Sequence, residues 1–147
     1  MKFVAFLAVF IILKANAMDE EFLKSTRAKV RKIAEDCVSQ ENAQMSDLDT
    51  IMDLKIPDSH EGKCVLFCTH KKFNVQNDDG SINREGAMET LEIVRDVDAD
   101  FHKKAIDAFD HCMQTPTEPD PCLYSASLSI CFLKKAKEEG IHELIME

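Results

Sequence analysis

The sequence predicts an all-α fold of six helices stapled by three disulfides. Three observations predict it. Apolar residues recur at helical spacing along nearly the whole chain, with no convincing alternating segment. Gly and Pro number only four each, so few points can break a helix. Six cysteines follow an N-terminal segment that reads as an export signal.

The export signal is justified first, because it leaves before folding. Met1-Lys2 carries positive charge, Phe3 to Leu13 is an unbroken apolar run, and Ala15-Asn16-Ala17 forms an A-x-A cleavage site. Residues 1–17 are therefore read as a secretory signal peptide, and residues 18–147 as a single helical domain in the extracellular space. The apolar run is too short to span a bilayer, which takes about 20 residues, and no second such run follows. All 27 acidic residues lie after Ala17, against 16 of the 18 basic ones, a net charge of −11. Such a chain is repelled by nucleic acid and by anionic membranes. Neither nucleic acid nor stable membrane insertion is expected, and the chain should be a monomer or weak homodimer.

The helices follow in order. Phe22, Val30, Ile33, Ala34 and Cys37 form one stripe, with Asp19, Glu20 and Glu21 at its positive end. Ser46 with Asp49 resembles a capping box before Leu48, Ile51 and Met52, and Asp58 with Glu61 repeats it before Val65, Leu66, Cys68 and Phe73. Asn77-Asp78-Asp79-Gly80 is a turn. Asn83 caps a fourth helix whose inner face is Ala87, Met88, Leu91 and Val94. Phe101, Ala105, Ala108, Phe109 and Cys112 make the fifth stripe. Asp120-Pro121 is an N-cap followed by Pro at the first helical position, opening a sixth helix through Tyr124, Leu128, Cys131 and Phe132 that stops at Gly140.

The cysteines are Cys37, Cys64, Cys68, Cys112, Cys122 and Cys131. An even number in a secreted chain of this size implies three bridges. Cys64 and Cys68 stand one turn apart on a predicted helix, with Cβ atoms about 5–6 Å apart, whereas a disulfide wants about 3.5–4.5 Å. They must therefore reach different partners, which makes their helix a hub. The remaining pairings stay open on this reasoning. A rival reading joins His60, Cys64 and Cys68 as H-x3-C-x3-C on one helical face, a pattern zinc accepts. In an oxidising compartment disulfides take precedence, and neither metal nor cofactor is expected.

The intervals between successive cysteines are 26, 3, 43, 9 and 8 residues. This pattern, with the signal and the helical periodicity, resembles the six-cysteine class of insect odorant-binding proteins over essentially the whole mature chain. The resemblance implies pairing of the first cysteine with the third, the second with the fifth and the fourth with the sixth. Here these are Cys37–Cys68, Cys64–Cys122 and Cys112–Cys131. It also implies a compact six-helix array around an apolar cavity, and a carrier of odorants or pheromones in the lymph around olfactory neurons. Relatives in taste organs, haemolymph, saliva or reproductive fluid make a non-olfactory carrier an alternative. A chemosensory receptor would be a further partner.

Physical reasoning supports a carrier independently. Burying apolar surface yields about 25 cal/mol per Å², and a pocket with one or two polar groups suffices to hold and orient a small apolar ligand. The residues expected to line it are Ile51, Met52, Phe73, Met88, Leu91, Val94, Phe109, Met113, Leu128 and Phe132. Met45, Met52, Met88 and Met113 supply adaptable thioethers. Tyr124 offers a polar contact. The tail after Gly140 is unusually apolar for an exposed end. Ile141, Leu144 and Ile145 are expected to wall the cavity, as such tails do in family members, with His142 inside the seam.

Enzymatic readings find no support. No catalytic residues are assigned. H-E-x-x-H and a Gly-rich phosphate loop are both missing from the sequence. Asp110-His111-Cys112 holds residue types used by secreted phospholipases but in another order and without a calcium loop. The remaining alternative is a secreted, disulfide-stapled signalling bundle with a solid core and no small-molecule ligand.

Overall fold

The computed structural model describes residues 20–140. The expected signal peptide and the apolar tail, including Ile141, His142, Leu144 and Ile145, lie outside them. Six α-helices make up the described chain: α1 (Glu20–Glu41), α2 (Met45–Met52), α3 (His60–Lys72), α4 (Arg84–Arg95), α5 (Ala99–Cys112) and α6 (Pro121–Glu138). The only β feature among the described residues is an isolated bridge between Gln76 and Ile82.

Each helix is set by local chemistry. α1 buries Thr26, Val30, Ala34, Cys37 and Val38 as one stripe. Its outer side carries the i,i+4 ion pairs Arg31–Glu35 and Lys32–Asp36. Asn42 takes a positive φ of 54° and the Ala43 amide donates to the Val38 carbonyl, so the helix closes there. Asn83, Asp98 and Asp120 cap α4, α5 and α6 through their side chains. Pro121 opens α6 as expected.

Two starts differ from the sequence reading. The carboxylate that reaches back at the head of α2 is Asp47, which accepts from the Gln44 amide at 3.0 Å, not Asp49. Closure of α1 at Asn42 lets α2 begin at Met45, ahead of Ser46. At α3 the cap is Ser59 rather than Asp58. Its Oγ accepts from the Gly62 amide and donates to Asp47 Oδ1 at 2.8 Å. Asp47 thus serves two helix starts at once, a long-range economy that no local pattern displays.

α3 is the centre of the array. It packs most extensively against α6 and α1, while α4 and α5 pair with each other and join the rest chiefly through α5 and α6. The bridges are Cys37–Cys68 between α1 and α3, Cys64–Cys122 between α3 and α6, and Cys112–Cys131 between α5 and α6. Two of the three leave from α3 on successive turns. The head of α4 is pressed against the end of α3. Gly86 permits this, because a Cβ there would stand 2.3 Å from the Asn74 carbonyl oxygen, and Thr90 Oγ1 donates to the Phe73 carbonyl at 2.9 Å.

A buried polar cluster ties the 75–83 loop to α3 and α6. Gln76 Oε1 lies 2.6 Å from His70 Nδ1 and accepts from Ser125 Oγ at 2.6 Å. Gln76 Nε2 donates to the Gly80 carbonyl at 2.8 Å. His70 is 4% exposed. Burial pushes its pKa down to about 4, with the Gln76 contact opposing only in part.

That depression fixes a sign. The unfolded chain binds a proton at His70 near pH 6.5, whereas the folded chain holds it off until about pH 4. The resulting stability is full above pH 6.5 and is lost as the pH falls toward 4. Urea unfolding should show about 2 kcal/mol less stability at pH 5 than at pH 7.5 from this group. A His70→Gln variant should start less stable at pH 7.5 and lose most of that slope. An unchanged slope would show that His70 does not carry it.

Candidate ligand-binding site

The apolar faces of all six helices converge on one cluster, and most of the residues expected at a ligand site belong to it. α2 contributes Ile51 and Met52, the end of α3 Phe73, α4 Leu91 and Val94, α5 Phe109, and α6 Tyr124, Leu128 and Phe132. All of these are buried, and Phe109 stacks on Phe132 with ring centroids 5.9 Å apart. Met88 is half-buried and packs against the edge of the cluster. The helical stripes place them so. Leu91 and Val94 lie on the same face of α4 as Ala87, and Leu128 and Phe132 are one turn apart on α6.

Met113 is a correction. It lies one residue past Cys112, at the C-cap of α5, and is 36% exposed. Helical periodicity would set it beside buried Phe109, four residues earlier, but Met113 stands past the last residue of α5 with its side chain partly in solvent. Met45, the first residue of α2, is likewise 51% exposed and supplies no adaptable wall.

The cluster is uncharged as well as apolar. The buried polar or charged residues among those described are Thr26, Thr69, His70, Gln76, Thr90 and Ser125. Only His70 among them can titrate near neutral pH, and its depressed pKa keeps it neutral there. Transfer of an ionic ligand into such surroundings would cost far more than it returns. The Tyr124 side chain is buried, and its hydroxyl makes no hydrogen bond among the described residues. Burial raises its pKa above the ordinary phenol value, so it remains a neutral donor. Among the residues of the apolar cluster it alone carries a hydroxyl.

Sequence reasoning missed part of the surroundings. Leu48, Val65 and Val75 are fully buried. Leu48 and Val65 fell on recognisable stripes, whereas Val75 stands alone in a loop. The His70–Gln76–Ser125 cluster was also missed, because its members are 6 and 49 residues apart and share no local motif.

Two other features are unsuited to the task. An open depression of about 570 Å³ beside α4 is lined by Arg84, Glu85, Met88, Glu89 and Glu92. Its three carboxylates suit no apolar molecule. The zinc pattern His60, Cys64 and Cys68 is not assembled as written either. Cys68 is bonded to Cys37 and Cys64 to Cys122, so neither sulfur is a thiolate in the oxidised chain.

The PBP/GOBP family model matches residues 19–135. General odorant-binding protein 19d of Drosophila melanogaster is 25% identical over 115 residues, which cover 78% of this chain and 77% of the relative. The solved structure of odorant-binding protein dmelOBP28a from Drosophila melanogaster has the same fold. It superposes with a TM-score of 0.69 at 24% identity, covering 80% of this chain and 98% of that one.

The contrast between Tyr124 and Met113 is testable. Tyr124→Phe should change stability by less than about 0.5 kcal/mol, since no hydrogen bond within the described fold is lost. It should weaken binding of alcohols by up to about tenfold while sparing hydrocarbons, the loss of one net hydrogen bond. Met113→Gln should alter neither stability nor binding. Equal losses for alcohols and hydrocarbons in the Tyr124 variant would remove the orienting role.

Proposed function

This chain belongs to the PBP/GOBP family, and we propose that it carries a small, neutral, apolar molecule among the inner faces of its helices. It is a carrier rather than an enzyme. The observation that supports this reading is the uncharged apolar cluster, contributed by every helix and held open to rearrangement only within limits set by three cross-links. A neutral guest of moderate length, such as an alcohol, ester, aldehyde or terpenoid, matches its chemistry. Displacement of water from such a guest yields about 25 cal/mol per Å², enough for dissociation constants of roughly micromolar order, about −8 kcal/mol.

Export after Ala17 and service in chemosensory lymph are part of the same proposal, with delivery to a receptor as its purpose. The signal-like segment supports export. No helix among the described residues is long and apolar enough to cross a membrane. The tail from Ile141 to Glu147 is proposed as a wall of the binding site. It follows Gly140, whose positive φ of 72° ends α6 and turns the chain. His142 within that tail would place a charge at an apolar seam when protonated, and so loosen the wall in acid.

Two measurements check this. A fluorescent apolar probe should bind at micromolar concentration and be displaced by neutral alcohols and esters but not by strongly charged compounds. A bundle with no small-molecule ligand would show no displacement by any of them. A chain ending at Gly140 should bind the probe more weakly at pH 7, and His142→Gln should flatten the difference between pH 7 and pH 5. Equal binding by the truncated chain would leave the carrier intact and abolish the wall.

A further inference from the structure

The start of α3 meets the start of α6 at a corner unrelated to the apolar cluster. His60 is the first residue of α3, Cys64 follows one turn later, and Cys122 is the second residue of α6. One donor atom from each of His60, Cys64 and Cys122 lies within 4.8 Å of the others. His60 Nε2 is 2.7 Å from Asp120 Oδ2, and Nδ1 is 3.7 Å from Cys64 Sγ. With Nε2 turned to the Asp120 carboxyl group, Nδ1 is the ring nitrogen that faces the sulfurs, and when it carries no proton its lone pair is free to bind a metal.

We propose that opening the Cys64–Cys122 bridge converts this corner into a zinc site formed by His60 Nδ1 and the two cysteine thiolates, with water in the fourth position. The fold brings together a different trio from the H-x3-C-x3-C of the sequence, since Cys122 replaces Cys68. Zinc–nitrogen and zinc–sulfur bonds of about 2.0 and 2.3 Å imply tetrahedral edges of about 3.5 Å between nitrogen and sulfur. His60 Nδ1 is already at 3.7 Å from Cys64 Sγ. Once the bond is opened, the sulfurs need to separate only to roughly 3.8 Å. Asp120 behind the imidazole supplies the carboxylate–histidine–metal arrangement that fixes tautomer and ring orientation. His60 is more than half exposed, which leaves an entry path.

The chemistry balances with a small thiol as reductant. Two R–SH reduce the bridge by exchange, releasing R–S–S–R and leaving two cysteine thiols. Zinc then displaces one proton from each. The corner need not fall apart when the bridge opens. His60–Asp120 and Ser129–His70 join α3 to the head and body of α6, and Ser125–Gln76 ties α6 to the loop after α3, all without covalent bonds. Cys64 and Cys122 are each 9% exposed, against 0%, 2% and 0% for Cys37, Cys68 and Cys112.

The test treats the oxidised chain with graded glutathione, alkylates a sample to identify the opened bridge, and titrates the remainder with cobalt(II) in place of zinc. Circular dichroism follows the helices. The expected result is Cys64 and Cys122 opening first with helix content retained. One cobalt per chain should then bind, with thiolate-to-metal absorption that is absent before reduction. His60→Gln should weaken cobalt binding at least about tenfold without loss of helix. Any of four results overturns the proposal: another bridge opens first, the helices melt as Cys64–Cys122 opens, no cobalt is bound by the opened chain, or His60→Gln binds it as well as wild type.

Discussion

Cys64 and Cys68 stand on one face of α3 and cannot bond each other, so α3 is anchored in two directions at once. One bridge draws in α1 and the other α6. With α6 placed, the third bridge seats α5 against it, and α4 follows as the partner of α5. The two bridges from α3 close chain separations of 31 and 58 residues. Each such bridge stabilises by about 2–4 kcal/mol, in the usual account by restricting the unfolded chain. A bundle that must admit a guest cannot also be packed as tightly as a solid core, and cross-links supply stability that does not depend on filling the interior.

A second, non-covalent clamp works beside the first. Gln76 links the end of α3 through His70, the start of α6 through Ser125, and its own loop through Gly80. The loop between α3 and α4 is thereby fixed at its base, which places Phe73 and Val75 in the core and sets Asn83 where it caps α4. Gly86 then lets α4 lie directly against Asn74. Burying these polar groups is tolerable because they satisfy one another, and because His70 remains neutral at ordinary pH.

These two clamps define how the carrier is built. The polar and covalent work is concentrated on α3, α6 and the loop between Phe73 and Asn83. The inner faces of α4, α5 and α6 are left almost wholly apolar. Leu91, Val94, Phe109, Leu128 and Phe132 meet there with Tyr124 as the polar exception. Charge is kept on the outside, where acidic residues predominate, and the buried cluster carries none.

Local chemistry made the six helices, the caps at Asn83 and Asp120 and the core-facing stripes legible in the sequence. Periodicity and cap preference depend on residues within one or two turns of each other, and Asn83, Asp120-Pro121 and Leu128–Phe132 needed nothing more distant. Spacing also showed that Cys64 and Cys68 must part company, while their partners came only from a family resemblance. Tertiary structure alone decided that Asp47 serves both α2 and α3, that Gln76 joins three segments, and that Met113 turns outward past Cys112. It also brought Cys122, not Cys68, beside His60. Each of these depends on the direction of a side chain at a helix end or on contacts between residues far apart in the chain, and neither leaves a periodic trace in the sequence.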